Sequence, residues 1–154
     1  MNQNSQKMNV EPVYRTMVIV WFALLVSQAM LPVVIYFAKP EIFKFDFSKS
    51  LLGENALITI VFALLAISLL TLSFVIRRIL LNRAVSGQNA QNVALAGTAM
   101  IIGCALCEAI SLFGVVLVFA FSYQYFFFWF ALGILGTILH FPKRDNLVAA
   151  SYKR

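Results

Sequence analysis

The chain has 154 residues, of which 62% are hydrophobic and only 12% charged, with a formal net charge of +6. Soluble domains carry about 25% charged residues, so a chain with a mean hydropathy of +0.88 cannot keep its surface wet, and the bilayer must be its solvent. The positive charge is not a nucleic-acid signature, because Lys and Arg fall between and beyond the apolar runs, where they set membrane orientation.

Met1 to Thr16 is a polar tail rich in Asn and Gln. Met17 to Phe37 is the first spanning candidate, since about 20 apolar residues cross a bilayer core. Pro32 can kink it by removing a backbone donor. The tail and apolar run also resemble a signal peptide, with Ser27-Gln28-Ala29 as a poor cleavage site, but the run continues past Ala29 and is read as a span. Ser27 and Gln28 lie within it. They read first as interhelical packing bonds and second as part of an ion path.

Lys39 to Asn55 forms the first loop, where Phe43, Phe45 and Phe47 alternate with Lys44 and Asp46. That period suits a short strand or an extended segment lying on the membrane; with no partner strand visible, the second is expected. Ala56 to Ile76 is the second span, closed by Arg77, Arg78 and Arg83. Leu81 to Asn92 is a polar connection, open to a helical start, with a turn expected at Ser86-Gly87.

The third span, Val93 to Phe121, is longer than the hydrocarbon core requires. Ser122-Tyr123-Gln124-Tyr125 is the one polar interruption before the fourth span, Phe126 to Phe141, and marks a tight hairpin. Tyr123, Tyr125 and Trp129 read as interfacial anchors. Gly133 and Gly136 read as points of close helix approach. His140 reads as an interfacial residue, and Pro142, Lys143 and Arg144 end the last span.

Orientation follows from the basic residues. Nine of the twelve Lys and Arg lie in the N-terminal tail, the second connection and the C-terminal tail; Lys39, Lys44 and Lys49 lie in the first loop. With four spans, the positive-inside rule places both termini in the cytoplasm. The expected architecture is therefore all-α, a single domain of four transmembrane helices arranged as two hairpins, integral to a bacterial inner (plasma) membrane.

Glu108 is the sole acid within these four spans and sits near the midpoint of the third. An acid at the bilayer centre is costly unless protonated, paired or facing a polar cavity, so by default it marks a functional site, and its protonated form is expected at rest. Gly103, Cys107 and Ser111 form a neighbouring stripe of small residues at spacing four, which places the acid beside a packing seam. Cys104 and Cys107 have the spacing of a redox or zinc pair, but both uses need accessible thiolates or further ligands. They are read as small packing residues.

Thr98 to Phe119, TAMIIGCALCEAISLFGVVLVF, resembles the carboxylate-bearing helix of the proteolipid (c) subunits of rotary ATPases. The matching residues are Gly103, Ala105, Leu106, Glu108, Ala109, Phe113, Gly114 and Val115, and the resemblance covers one helix in four. It implies that Glu108 is the ion-carrying carboxylate and that the polar connection before it is cytoplasmic. Sodium-binding members add a hydroxyl residue after the Glu and a Gln on the inner helix. Here Ala109 follows Glu108 and the second span has no Gln, so a proton is the expected cargo.

Two functions are carried forward. The first is a proteolipid-like membrane subunit whose Glu108 binds a proton reversibly, with Ser111, Ser27 and Gln28 as supporting polar residues. The second is a structural or accessory membrane protein in which Glu108 makes a fixed hydrogen bond to Ser27, Gln28 or a partner helix. Both imply the bilayer and other membrane subunits, or copies of the chain itself, as partners. No phosphate-binding glycine loop, hydrolytic triad or metal cluster is evident, so no enzymatic activity, catalytic residue, metal or cofactor is expected.

Overall fold

The computed structural model describes residues 10–44, 46, 48, 50–52, 55–86 and 92–151, and it is all-α. Five helices follow in order: α1 (Glu11–Ala38), α2 (Ala56–Ser86), α3 (Asn92–Phe121), α4 (Phe127–Leu139) and α5 (Arg144–Ser151), with a 3-10 turn at Pro40–Phe43. In hydrocarbon every backbone polar group must be satisfied within the chain, and a helix does this locally. Three helices, α1, α2 and α3, are long and apolar enough to cross a membrane. The fourth apolar helix, α4, has only 13 residues, about 20 Å at 1.5 Å per residue.

The lone acid helix α3 is the centre of the molecule. It packs against α2, α4, α1 and α5, and its apolar window is the most enclosed of the three long helices. Two apolar clusters mark the ends of the bundle. Val10, Met17, Ala84, Val93, Ala96, Leu147 and Ala150 gather at one end, so the starts of α1 and α3 meet the end of α2 and α5 there. Glu11 lies 3.4 Å from Arg144 and bridges α1 to α5 at the same end. At the other end, Ile35, Ile42, Tyr123, Tyr125 and Phe126 close the core.

Several local expectations are corrected. Arg77, Arg78 and Arg83 do not end α2, which runs on to Ser86. Arg and Leu are good helix formers, and a guanidinium can leave the apolar zone on its long stem. Within the basic C-terminal tail, residues after Pro142 form α5, which buries Leu147 and Ala150. Tyr123, Tyr125 and Trp129 are not outward anchors: all three are buried, and Tyr123 Oη donates to Leu51 O at 2.6 Å. Burial, with Tyr125 alongside, raises the Tyr123 pKa and keeps the phenol a donor. Phe43 turns inward against Tyr36 and Phe126; Phe45 and Phe47 lie outside the described residues, as does Gly87 of the expected turn. α1 is continuous through Pro32.

The α3–α4 hairpin turns at Ser122, whose φ of 49° is left-handed. Its N–H bonds Val118 O at 3.0 Å, the usual closure of a helix by one left-handed residue. Lys39 Nζ reaches Val118 O and Phe119 O at 3.3 and 3.4 Å, placing a cation on the negative end of α3. Beyond the turn the two helices run in backbone contact. A Cβ at Gly114 would lie 2.9 Å from Trp129 Cβ, and one at Gly133 would lie 2.8 Å from Cys107 O.

The four last carbonyls of a helix have no partner within it, and α4 finds one for each. Gly136 O is 2.7 Å from His140 Nδ1. Thr137 O accepts from Trp21 Nε1 at 2.8 Å, and Ile138 O accepts from Phe141 N at 3.1 Å. Arg77 Nη1 donates to Leu139 O at 2.8 Å, and Nη2 to Phe141 O at 3.0 Å.

Two outcomes are expected. Gly133→Ala forces a methyl into backbone and should destabilise the protein by roughly 1–3 kcal/mol. Gly97→Ala, whose Cβ meets only Met17 Sδ at 3.9 Å, should be neutral or better; thermal melts in one detergent compare them. Arg77→Leu leaves two carbonyls without their donor and should lower the melting midpoint by the equivalent of about 2 kcal/mol, with Arg77→Lys in between. Loss of amide-exchange protection centred on 137–141 would locate the effect.

Candidate functional site

Adjacent residues of α1 reach two residues of α3 that lie nearly one turn apart. Ser27 Oγ donates to Glu108 Oε1 at 2.9 Å. Gln28 points the other way, into the seam between α3 and α4, where it is fully buried. Its Nε2 donates to Thr137 Oγ1 at 2.7 Å, and its Oε1 accepts from Ser111 Oγ at 3.2 Å. Ser111 and Thr137 are also fully buried. The amide therefore ties three helices together with partners at both its donor and its acceptor end, as a buried polar group requires.

The Glu108 end differs. Glu108 is half-buried and Ser27 exposed. Among the described residues Ser27 is the carboxyl's one hydrogen-bond partner. Ser27 Oγ also lies 2.9 Å from Leu24 O. A hydroxyl carries one hydrogen and two acceptor sites, so the two contacts cannot both use it. If Ser27 gives its hydrogen to Glu108, an anionic carboxylate is solvated. If it gives it to Leu24 O, the carboxyl must carry the proton and donate it to Ser27. One geometry thus serves both protonation states.

All four polar residues singled out in the sequence are brought to this zone, as two pairs: Ser27 with Glu108, and Gln28 with Ser111. Sequence reasoning missed Thr137 and Trp21, which complete the α1–α4 contact through the side chain and carbonyl of one residue. Thr137 could have been found, being the one hydroxyl residue in α4.

His140 faces inward and not the surroundings. It is fully buried, stacked 4.7 Å from the Phe74 ring and set against Gly103, where a Cβ would collide with the imidazole. With Nδ1 donating to Gly136 O, Nε2 is the bare nitrogen, and among the described residues it makes no hydrogen bond. Cys104 and Cys107 are buried free thiols, and Cys107 Sγ lies 3.9 Å from Ser73 Oγ. Among the described residues no three His, Cys, Asp or Glu side chains are placed to hold a metal ion. No family model, curated protein or solved structure matches the chain.

Gln28→Leu removes two interhelical bonds and leaves Ser111 and Thr137 buried without them. In membrane proteins such bonds contribute about 0.6 kcal/mol each, so the expected loss is about 1 kcal/mol in a reversible detergent unfolding titration. Ser27→Ala, at an exposed position, should cost less than half of that.

Proposed function

We propose that this chain is a non-enzymatic membrane subunit that crosses the bilayer four times with both termini in the cytoplasm, and that Glu108 holds an exchangeable proton. The fourth crossing is supported by depth. Running antiparallel to α3, α4 ends where Arg77 binds its carbonyls, and Arg77 is the first charge after the apolar part of α2. The short helix therefore matches the depth of the apolar stretch beside it. Sidedness is supported by Arg15, Arg77, Arg78, Arg83, Lys143 and Arg144, all on segments at the end where α1 begins and α5 docks, against Lys39 and Lys44 at the other.

The observation that carries the proton reading is the Ser27–Glu108 pair: a half-buried carboxyl in a bilayer helix, with a hydroxyl partner that accommodates its neutral or its charged form. Reversible protonation fits a proteolipid-like subunit of an ion-translocating complex, in an assembly with other subunits or copies of itself. The mechanism would be uptake of a proton at Glu108, passage of the neutral group past lipid, and release beside a cation supplied by a partner. A second reading is favoured by the neighbouring Gln28 cluster, which is closed and purely interhelical. In that reading the chain is an accessory subunit, and the Ser27–Glu108 bond is another fixed tie.

Glu108→Gln separates them. In proteoliposomes, loss of proton flux with assembly intact supports the proton subunit. Loss of assembly, with no flux in the parent protein, supports the accessory role. Unchanged assembly and flux would remove Glu108 from both. A hydrophobic carbodiimide, which modifies protonated carboxyls reached from the lipid phase, should label Glu108 on the proton reading and leave Glu108→Gln unlabelled.

A further inference from the structure

At the end of the bundle away from the termini, a cavity of about 240 Å³ opens between the 3-10 turn and the α3–α4 hairpin. Its polar wall is made by Lys39, Glu41, Lys44, Asp46, Ser122 and Gln124, so two cations and two anions share a space smaller than most ligand pockets. A bare anion placed there would meet two carboxylates, and a bare cation two ammonium groups. A small group carrying both charges meets neither problem.

The wall is partly fixed in place. Lys39 Nζ is held by the last carbonyls of α3 and by Ser122 Oγ at 3.4 Å, and it lies 5.7 Å from the centre of the Phe119 ring. Gln124 clamps the backbone of residue 46 from both sides, donating to Asp46 O at 2.6 Å and accepting from Asp46 N at 3.3 Å. Glu41 and Lys44, three residues apart and both exposed, make no ion pair with each other. Among the described residues neither forms an ion pair, so both charges can meet a third group.

The level in the membrane narrows the ligand. The cavity sits where α1 and α3 end, which is the headgroup zone on the four-span reading. Just below it Phe37 is 79% exposed and Phe119 43% exposed, offering apolar surface to acyl chains. Asp46 Oδ1 already accepts from Ser48 N and Ser48 Oγ at 3.0 and 2.6 Å, so Glu41 is the acid that faces a ligand. We infer that this cavity holds the headgroup of a zwitterionic phospholipid with a primary amine, its phosphate facing Lys39 and Lys44 and its ammonium facing Glu41. A primary ammonium has three hydrogens to give to carboxylates; a quaternary one has none, and a glycerol headgroup lacks the positive charge. The inference rests on membrane insertion and not on the role of Glu108.

The test is native mass spectrometry of the full chain with phosphatidylethanolamine, phosphatidylcholine and phosphatidylglycerol of identical acyl chains. Phosphatidylethanolamine should be retained about tenfold over each of the others, as one charge-assisted bond would give. Glu41→Gln should erase its advantage over phosphatidylcholine. Lys44→Gln should weaken its retention several-fold, with helix content by circular dichroism unchanged in both variants. Displacement by soluble phosphoethanolamine would show that the headgroup alone is read; retention in its presence would show that the whole lipid is the ligand. Equal retention of the three lipids, a preference for phosphatidylglycerol, or indifference to Glu41→Gln would overturn the inference.

Discussion

The structure depends on what happens to the backbone where α4 stops. A helix of 13 residues is only about 20 Å long, and each carbonyl at its end that is buried without a donor costs a few kcal/mol. The chain answers with donors from three places: the indole of Trp21 on α1, the guanidinium of Arg77 on α2 and the imidazole of His140 in the turn itself. Each must come to the same few residues, which fixes how α1 and α2 sit about the α3–α4 hairpin. Arg77 has a dual character for this reason. Its charge counts toward orientation, while its bonds close a helix.

Those donors can reach α4 only because α3 and α4 lie in near backbone contact. Gly114 admits Trp129, Gly133 admits the backbone at Cys107, and Gly103 admits the ring of His140. Small residues carry helix association in membranes, where lipid tails are as apolar as leucine and burial alone gives little drive. The cost of this economy is visible at His140. Its ring fills the notch at Gly103 and caps Gly136 O, and its second nitrogen finds no hydrogen bond among the described residues.

The all-α class and the extent of α3 were legible because membrane helices announce themselves by length and apolarity; the start of α1 was not, since the helix begins at Glu11, inside the expected polar tail. The end of α2 was not, since arginines stop an apolar run without stopping a helix. Glu108, Ser27, Gln28 and Ser111 stood out as polar groups in apolar segments, and a single sequence can show that much. It cannot show pairing across helices: that Gln28 meets Thr137, or that Arg77 belongs to α4, depends on which helix lies alongside. Tyr123, Trp129 and His140 misled for a related reason. Amphipathic rings near a span end usually face the interface, and only the close approach of α3 and α4 turns them inward.

The two neighbouring residues of α1 divide the polar work of the bilayer interior. Gln28 lies in the α3–α4 seam with its amide bonded at both ends, so its position leaves it no second state without breaking a bond. Ser27 lies on the outer side with one hydrogen and two acceptors 2.9 Å away, and it can change partner without moving. On the proposed proton reading, a fixed tie beside a two-state one would keep the helices in register while the hydrogen between Ser27 and Glu108 reversed direction. If the helices themselves had to shift to accommodate each protonation state, every cycle would disturb the carbonyl bonds at the end of α4. On that reading the Gln28 cluster would separate these events and confine a change of state to the half-buried face where Glu108 meets its surroundings.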